Sequence, residues 1–403
     1  SVKITIRKAS STVKAGDAAY FLAFILLFMC DFYNTTTFKG LVDITFLLNA
    51  ARVLSVILIT VKCVYIDSYS IKHLIVITLL VGVAAISVFS SNTAALLDFI
   101  LLAVGCRGID DKKIVKTYFV FGTIYLLITM VCSLTGVIEN YSTIRATTGT
   151  LRYSFGIVYS TDFAAHVFFL ILAFHYIRDR RIKLLDIIIH ILIVAFLNRY
   201  CDSRLSEAMI LMTLILFIIY DFRGEIFGSR VFGFISTWVT VGCGIFSVVI
   251  TNLYSGSSVA WVAIDELLFS NRLKIGKKVI DMYGFTPFGQ FIKMQGMGYK
   301  VYDYDTSIGT TYIDSSYLQI ILIYGTVFFV IMMAAYTYCA KKVYWSGNRK
   351  LSIILVLIAV SCIINQYLTN IAYNPFVVIF GTYLLSNRSF NSAEVGRRKI
   401  VLK

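Results

Sequence analysis

Proline and charged side chains are both scarce in this sequence. Its 403 residues include two prolines, and 15% of them are charged, whereas a globular domain carries roughly 25% charged residues. So little proline excludes proline-rich linkers, collagen-like repeats and disordered classes. Apolar residues are abundant instead: 58% of residues are hydrophobic, and the mean hydropathy is +0.81. These shares indicate an integral membrane protein that crosses the bilayer many times.

Motifs for metals, nucleotides and disulfides are also missing. The sequence contains no CxxC pair, no Cys/His metal spacing, no GxxxxGK[ST] loop and no HExxH helix, so ATP-driven transport and soluble nucleotide-sugar chemistry lose support. The eight cysteines fall almost entirely inside or at the ends of apolar runs, which argues against a disulfide framework. We expect neither a metal nor a cofactor. Because the first apolar run is long and is followed by further spans, we expect no cleavable signal peptide.

Apolar runs predict an all-α fold of about twelve transmembrane helices, since each span takes ~20 residues. The fourth and the last are short enough to be tilted or re-entrant. The predicted spans are 18–33, 44–64, 71–90, 93–106, 114–137, 158–177, 184–200, 205–221, 231–253, 313–340, 351–370 and 374–386.

The distribution of lysine and arginine predicts how these spans are oriented. Basic residues concentrate at the N-terminus, in alternate connections and in the tail, as the positive-inside rule requires of cytoplasmic segments. Both termini are therefore expected in the cytoplasm, and most of the net charge of +15 reflects topology rather than a nucleic-acid partner. The connection 138–157 and the long loop 254–312, between the ninth and tenth spans, are expected outside. The basic residues that set this orientation are Lys3, Arg7, Lys8, Lys14, Arg107, Lys112, Lys113, Lys116, Arg178, Arg180, Arg181, Lys183, Lys341, Lys342, Arg349, Lys350, Arg388, Arg397, Arg398, Lys399 and Lys403.

Four arginines on the predicted outer side run against this bias. They are Arg145 and Arg152 in the connection 138–157, Arg204 in the short turn NRYCDSRLSE, and Arg272 in the long loop. A guanidinium group binds phosphate in a bidentate manner and stays charged. A cluster of such groups could hold a lipid-linked diphosphate and stabilise its charge as it leaves. The alternative is that each arginine contacts ordinary lipid headgroups.

Acidic residues near these arginines are candidates for acid–base chemistry. Asp162 and His166, at the start of the sixth span, are four residues apart and so share one helical face, as a carboxylate–imidazole general base would. Asp202 lies in the same short turn as one of the arginines. For the first pair, the alternative is a structural hydrogen bond between helices. His175 and His190 lack evident partners and are expected to have packing roles.

Polar groups that suit sugars occur on the same predicted side. Asp314 and Tyr317 open the tenth span, and Asn370 ends an amide-rich stretch that includes Asn365 and Gln366. Such groups can bind sugar hydroxyls, but inter-helix hydrogen bonds explain them as well. Tyrosines of the long loop could stack on sugar rings, with an interfacial aromatic belt as the alternative. These tyrosines are Tyr254, Tyr283, Tyr299, Tyr302, Tyr304 and Tyr312.

The order of these elements resembles the O-antigen polymerase (Wzy) family. About twelve spans are combined with an arginine loop before LRYSFGIVYSTDFAAHVFF, an outer SRLS turn, one large outer loop late in the chain, and DSSYLQIILIYG opening the next span. The resemblance covers residues 18 to 386 and is closest to polymerases of capsule and exopolysaccharide loci. It implies the GT-C-like fold that these polymerases share with O-antigen ligases.

The resemblance implies a definite activity. Wzy-like enzymes join oligosaccharide repeat units at the outer face of the bacterial cytoplasmic membrane, with donor and acceptor both carried on undecaprenyl diphosphate. They work without a metal, rely on outer-loop arginines, and are accompanied by co-polymerases that regulate chain length. The arginine role carries over here to Arg145, Arg152, Arg204 and Arg272. Where many relatives have a His-Pro-Asn-like run, this chain instead reads Tyr-Ser-Thr-Asp over residues 159–162.

Two other functions fit parts of the sequence. A flippase or other transporter of lipid-linked oligosaccharide would also be a greasy, multi-span protein, although such proteins often show internal repeats and Gly/Pro-broken helices. An O-antigen ligase would use the same donor but move the polymer to a different acceptor. Product analysis separates these functions from polymerisation.

Overall fold

The computed structural model describes most of the chain. The N-terminal side chains of Lys3, Arg7 and Lys8, loop residues Tyr299, Tyr302 and Asp303, and the basic tail after residue 385 lie outside the described part. The described residues are 2–67, 69–93, 95–145, 148–296 and 304–385.

These residues form helices in nearly every predicted span, together with one short β-hairpin. The helices are α1 (Val2–Asn34), α2 (Thr45–Val61), α3 (Ile71–Ser91), α4 (Ala95–Gly105), α5 (Asp111–Leu134), α6 (Ser160–Ile177), α7 (Leu184–Tyr200), α8 (Arg204–Phe222), α9 (Arg230–Leu253), α10 (Val259–Ile264), α11 (Arg272–Tyr283), α12 (Ser316–Gln319), α13 (Thr326–Trp345), α14 (Arg349–Ser361) and α15 (Phe376–Leu384), and the strands are β1 (Ser142–Ile144) and β2 (Leu151–Tyr153).

Among the described residues, eight helices are long and apolar enough to cross a membrane. The protein is therefore a mostly helical, multi-pass membrane protein. Four other predicted spans, α4, α7, α14 and α15, are helical but contain only 11, 17, 13 and 9 residues. The eight candidate spans are Lys14–Asn34, Thr45–Ile66, Ile71–Ser91, Asp111–Leu134, Ser160–Ile177, Arg204–Phe222, Arg230–Leu253 and Thr326–Trp345.

The predicted tenth and eleventh spans differ from the structure. The tenth is broken at Gly325, whose φ of +94° suits glycine but not other residues; α12 and a π-turn precede the break and α13 follows it. The eleventh stops at Ser361, and just beyond it the carbonyls of Cys362 and Asn365 accept from the Ser316 backbone N–H instead of from a further helical turn. The segment from Cys362 to Asn374 is consequently irregular yet largely buried.

Two ends of the bundle can be recognised from contacts between connections. At the hairpin end, β1 and β2 pair antiparallel. At the other end, called the basic end, the Lys112 ammonium group bonds Asp179 at 2.7 Å, and Lys350 donates to the carbonyl of Arg178. Three of the basic connections predicted to share one side therefore do meet at one end of the molecule.

Aromatic side chains of α1 and α5 form part of the core. Phe24 and Phe28 stack with ring centroids 6.3 Å apart, and Phe28 meets Tyr118 edge-on at 5.4 Å. Inside a membrane, helices associate through close packing rather than through the hydrophobic effect, and each aromatic pair adds about 0.5–1.5 kcal/mol. This packing fixes α5, and with it the start of the hairpin that follows α5.

A group of three charged side chains joins α1, α2 and α4. Arg52 of α2 donates to Asp98 of α4 at 3.0 Å and to Asp31 of α1 at 3.3 Å. A charge at membrane depth is costly unless it is paired, so this group ties three helices together. Its members are 21 and 46 residues apart in the sequence, and no local pattern indicates the contact.

Candidate functional site

The hairpin buries Arg152 and leaves the adjacent Leu151 exposed. In a strand, successive side chains point to opposite faces. Leu151 is 43% exposed, whereas Arg152 is only 8% exposed, because β2 directs Arg152 towards the turn between α7 and α8. Its Nε donates to the Cys201 carbonyl at 2.8 Å, and its guanidinium carbon lies 5.7 Å from the centre of the Tyr159 ring. The predicted arginine loop therefore places Arg152 against the α7–α8 turn.

Arg152 is a buried cation without a matching anion. Within the described residues, no carboxylate lies within ion-pair distance of it, and its two terminal nitrogens have no hydrogen bond. Burial lowers the pKa of Arg152, Tyr159 and Asp202 oppose that shift, and the nearby positive charge of Arg145 adds to it. A largely buried guanidinium group with unbonded donors is suited to bind an anion that enters from outside the protein.

Arg145 and Arg204 flank Arg152 and share one carboxylate. Arg145 bonds Asp202 at 2.7 Å, while the Arg204 Nε lies 4.0 Å from the same oxygen. Asp202 has a φ of +45°, and its carbonyl also accepts from Arg145 at 3.1 Å. Asp202, predicted as a catalytic group, thus forms an ion pair with Arg145 in this structure.

Asp162 lies in the first turn of α6, where Tyr367 reaches it from the irregular segment after α14. The Tyr367 hydroxyl donates to Asp162 Oδ1 at 2.5 Å. Within the described residues, no hydrogen bond reaches the second oxygen of this carboxylate. Asp162 therefore keeps one oxygen available for a proton from a substrate hydroxyl.

His166 does not serve as the partner of Asp162. Its Nε2 lies 3.1 Å from the Thr35 hydroxyl, its ring stacks on Tyr373 at 3.9 Å, and it is 2% exposed. The two residues share a helical face as predicted, but each bonds to a different part of the protein. The predicted carboxylate–imidazole pair is therefore not formed, and His166 has a packing role.

Arg272 is separate from the other three arginines and lies near Asp162. The side chains that contact Asp162 or interact with it electrostatically are called the Asp162 group. The Arg272 Nε donates to Asp314 at 2.8 Å, and both residues interact electrostatically with Asp162. The predicted four-arginine cluster is thus divided, with three members at the α7–α8 turn and one beside Asp162. Arg272 and Asp314 line a small cleft together with Ser247, Ile250, Thr251, Phe269, Leu273, Ile313, Ser315, Leu318 and Ile363.

Lys39 is a member of the Asp162 group that the sequence did not reveal. It lies in the turn Thr37–Gly40, which the Thr37 backbone N–H anchors to the Gly156 carbonyl at 2.8 Å. Burial lowers the pKa of Lys39, and attraction by Asp162 opposes that shift. Like the four arginines, Lys39 is a basic residue in a connection predicted to be outside, and that signal could have found it.

The groups predicted to bind sugars lie in different surroundings. Tyr312 donates to the side-chain oxygen of Gln366, which also accepts from Gln319 at 2.9 Å, so this amide network borders the Asp162 group. Tyr317 is fully buried and donates to the Ala359 carbonyl at 2.9 Å. This hydrogen bond makes Tyr317 a core residue rather than a ligand of sugars.

Asn370 also has a local structural role. Its side-chain oxygen accepts from the Ala372 backbone N–H at 3.0 Å, and its carbonyl accepts from the Asn374 backbone N–H at 2.9 Å. These bonds close the turn that leads into α15. The Asn370 side chain therefore shapes the irregular segment that presents Tyr367 to Asp162.

At the basic end, His175 and His190 are partners, contrary to the expectation of independent packing. Arg178 Nε donates to His175 Nδ1 at 3.1 Å, the two Nε2 atoms are 3.0 Å apart, and His190 Nδ1 lies 2.6 Å from the Asp186 carbonyl. In neutral rings this order puts the His175 proton on Nε2 and the His190 proton on Nδ1. Every donor is then matched to an acceptor, and an added proton would break the chain.

The hairpin end therefore contains both a largely buried arginine with unbonded donors and a carboxylate with one unbonded oxygen. Arg152 contacts Tyr159, the residue before α6, and Asp162 lies in the first turn of that helix. Among the described residues, no group of three or more metal-binding side chains occurs. No family model, curated protein or solved structure matches this chain.

Proposed function

We propose that the protein is a membrane glycosyltransferase that polymerises oligosaccharide repeat units carried on undecaprenyl diphosphate. In this proposal the hairpin end faces the outside of the bacterial cytoplasmic membrane, and both termini lie in the cytoplasm. Donor and acceptor are both lipid-linked, and a chain-length regulator acts on the same growing polymer. The family resemblance in the sequence supplies this substrate class, and the chemistry of the hairpin end supports it.

The observation that carries the proposal is the state of Arg152. Protein covers most of the Arg152 side chain, yet within the described residues its guanidinium group has one hydrogen bond and no carboxylate in ion-pair contact, an arrangement that adds little to stability. A bound diphosphate would supply the missing acceptors for Arg152, and Arg145 adds positive charge beside it. Such a site stabilises negative charge in the place where a leaving diphosphate develops it.

The proposed reaction is a single displacement. The acceptor hydroxyl oxygen bonds to the anomeric carbon of the donor sugar, while the bond from that carbon to the diphosphate oxygen breaks and its electron pair leaves with the diphosphate. The hydroxyl proton passes to the free oxygen of Asp162. Tyr367 positions this carboxylate by donating to its other oxygen. Lys39 and Arg272 lie close enough to Asp162 to interact with it electrostatically.

Substitution of Arg152 tests the proposal. Loss of one donor to a developing anion typically costs ~10²–10³ in rate, so Arg152→Ala should abolish long polymer in cells that carry it as their only copy. Arg152→Lys keeps the charge but loses the planar pair of donors, and should retain only part of the activity. The matched control is Arg223→Ala, because Arg223 is 72% exposed and lies beyond the far end of α8.

The readout is the length of the glycan together with the amount of lipid-linked single repeats. A polymerase defect gives accumulated single repeats on lipid at normal protein levels. Normal chain lengths from a stably inserted Arg152→Ala variant would contradict the proposal.

A transporter of the same lipid-linked oligosaccharide is the second candidate, because of the broken helix at Gly325. Discontinuous membrane helices are typical of transporters, where their ends surround a substrate site. Purified protein that lengthens glycans on lipid-linked repeats would exclude transport as the function. A product joined instead to a different terminal acceptor would identify a ligase.

A further inference from the structure

An uncharged aromatic segment lies within the connection between α9 and α12. Residues 282–292 read MYGFTPFGQFI and contain no acidic or basic side chain, whereas Asp281 and Lys293 flank them on either side. Four large apolar side chains of this segment are exposed at the surface of the protein. Their exposed fractions are 48% for Met282, 40% for Phe285, 43% for Phe288 and 59% for Phe291.

The main chain of this segment is bonded to the first residues of a membrane-spanning helix. The Thr326 N–H donates to the Thr286 carbonyl at 2.9 Å, and the Val327 N–H donates to the Pro287 carbonyl at 3.0 Å. The first N–H groups of a helix have no partner within the helix, and leaving them unpaired near lipid is costly. The segment supplies the missing acceptors, and α13 is the candidate span Thr326–Trp345. The segment therefore lies at the level where α13 enters the bilayer.

Two glycines make this attachment close. A Cβ atom on Gly289 would lie 2.1 Å from the Ile323 carbonyl oxygen, and one on Gly325 would lie 2.3 Å from the Gly289 nitrogen. Any side chain at either position would push the segment away from the helix. The close contact between the segment and the helix therefore requires glycine at both positions.

We propose that residues 282–292 insert Phe285, Phe288 and Phe291 into the boundary between lipid headgroups and hydrocarbon at the hairpin end. The partner is lipid hydrocarbon, because the exposed surface is apolar and continues along α13 to Val330, which is 64% exposed. The segment is hydrogen-bonded to Val327, about one helical turn before Val330. Lipid that covers Val330 would therefore contact the segment as well. Charged residues at both ends of the segment stay in the headgroup region, so the long connection is tethered to the membrane rather than held free in water.

Tryptophan substitution at each phenylalanine tests this depth in the full-length protein in nanodiscs. Phe285→Trp, Phe288→Trp and Phe291→Trp are compared with the wild-type background of three tryptophans. The control is Thr306→Trp, on an exposed turn of the same connection. Lipids brominated just below the headgroup quench from the bilayer, and iodide quenches from water. Correct folding of each variant is checked by size-exclusion profile.

Brominated lipid is expected to quench the added fluorescence of the three phenylalanine variants roughly twofold or more, as for side chains within ~5–10 Å of the headgroup boundary, while iodide has little effect. Thr306→Trp should show the reverse pattern. Quenching of all three variants by iodide alone would place the segment in water and overturn the proposal. Protection from both quenchers would mean that protein covers it, and would overturn the proposal equally.

Discussion

The two ends of the bundle use buried charge in different ways. At the basic end, Arg178 donates to Asp221 at 2.8 Å and to His175 at 3.1 Å, so its donors have protein partners. At the hairpin end, Arg152 is as deeply buried but has a single hydrogen bond, to a backbone carbonyl, within the described residues. Paired charges hold helices together, whereas a buried charge with free donors is available for a ligand. Substitutions at the two ends should therefore separate stability from activity.

The largest effect on activity is expected from Asp162→Asn. The asparagine oxygen can still accept from Tyr367, but the side chain can no longer take up a proton, and loss of a general base typically costs ~10²–10⁴ in rate. The measurement is polymer formation from lipid-linked repeats by purified protein. Asp179→Asn is the control, because Asp179 is 81% exposed at the basic end. Wild-type rates in Asp162→Asn would remove Asp162 from the mechanism.

At the basic end, Arg178→Ala should reduce stability without reducing the activity of the folded protein. Arg178 and Asp221 have side chains that are 3% and 7% exposed, and removal of one partner of a buried pair costs about 3–5 kcal/mol. The expected result is a lower thermal unfolding midpoint with unchanged transfer rate per folded molecule at low temperature. Arg181→Ala, at an exposed position nearby, should leave both quantities unchanged. A catalytic loss at unchanged stability would show that the two ends do not differ in this way.

A smaller effect, with a pH signature, is expected at Lys39. Lys39→Ala removes one partly exposed charge near Asp162 and should slow transfer roughly fivefold. Since burial lowers the pKa of Lys39, the wild-type lysine loses its charge, and activity falls, as the pH rises through that lowered value. Lys39→Arg should move this alkaline limb to higher pH, because arginine stays charged. Identical pH profiles for wild type and Lys39→Arg would show that the Lys39 charge plays no part.

The smallest effect is expected from Arg204→Ala. The Arg204 side chain is 56% exposed and lies 4.0 Å from Asp202, and exposed pairs of this kind contribute little. Transfer should change by less than about twofold, in contrast to Arg145→Ala, which removes the closer contact with Asp202 at 2.7 Å. Equal losses in both variants would indicate that Arg204 contacts the substrate directly.

Hydropathy predicted most of the helices, but not where the tenth and eleventh spans are interrupted. The break at Gly325 depends on Gly289 packing against it from the preceding connection, and the end of α14 depends on Ser316 bonding to Asn365. Both interruptions result from contacts between separate elements. An apolar run looks the same in the sequence whether or not such a contact divides it.

The candidate site was predicted in its residue types more successfully than in its pairings. Arg145, Arg152 and Asp162 lie at the hairpin end, but His166 and Tyr317 turned inwards because each has a buried partner in a distant part of the chain. A helical face can be read from spacing, whereas the neighbour that covers this face cannot.

The sequence by itself determined that this is a multi-pass helical membrane protein with basic connections gathered at one end, because hydropathy and charge are properties of short segments. Only the tertiary structure decided that Tyr367 bonds Asp162 across 205 residues. It also decided that Arg272 pairs with Asp314, away from the other three arginines, and that Arg152 is buried with no carboxylate in ion-pair contact among the described residues. Each of these facts depends on which helices pack together, and hydrogen bonds and ion pairs act only over a few ångströms.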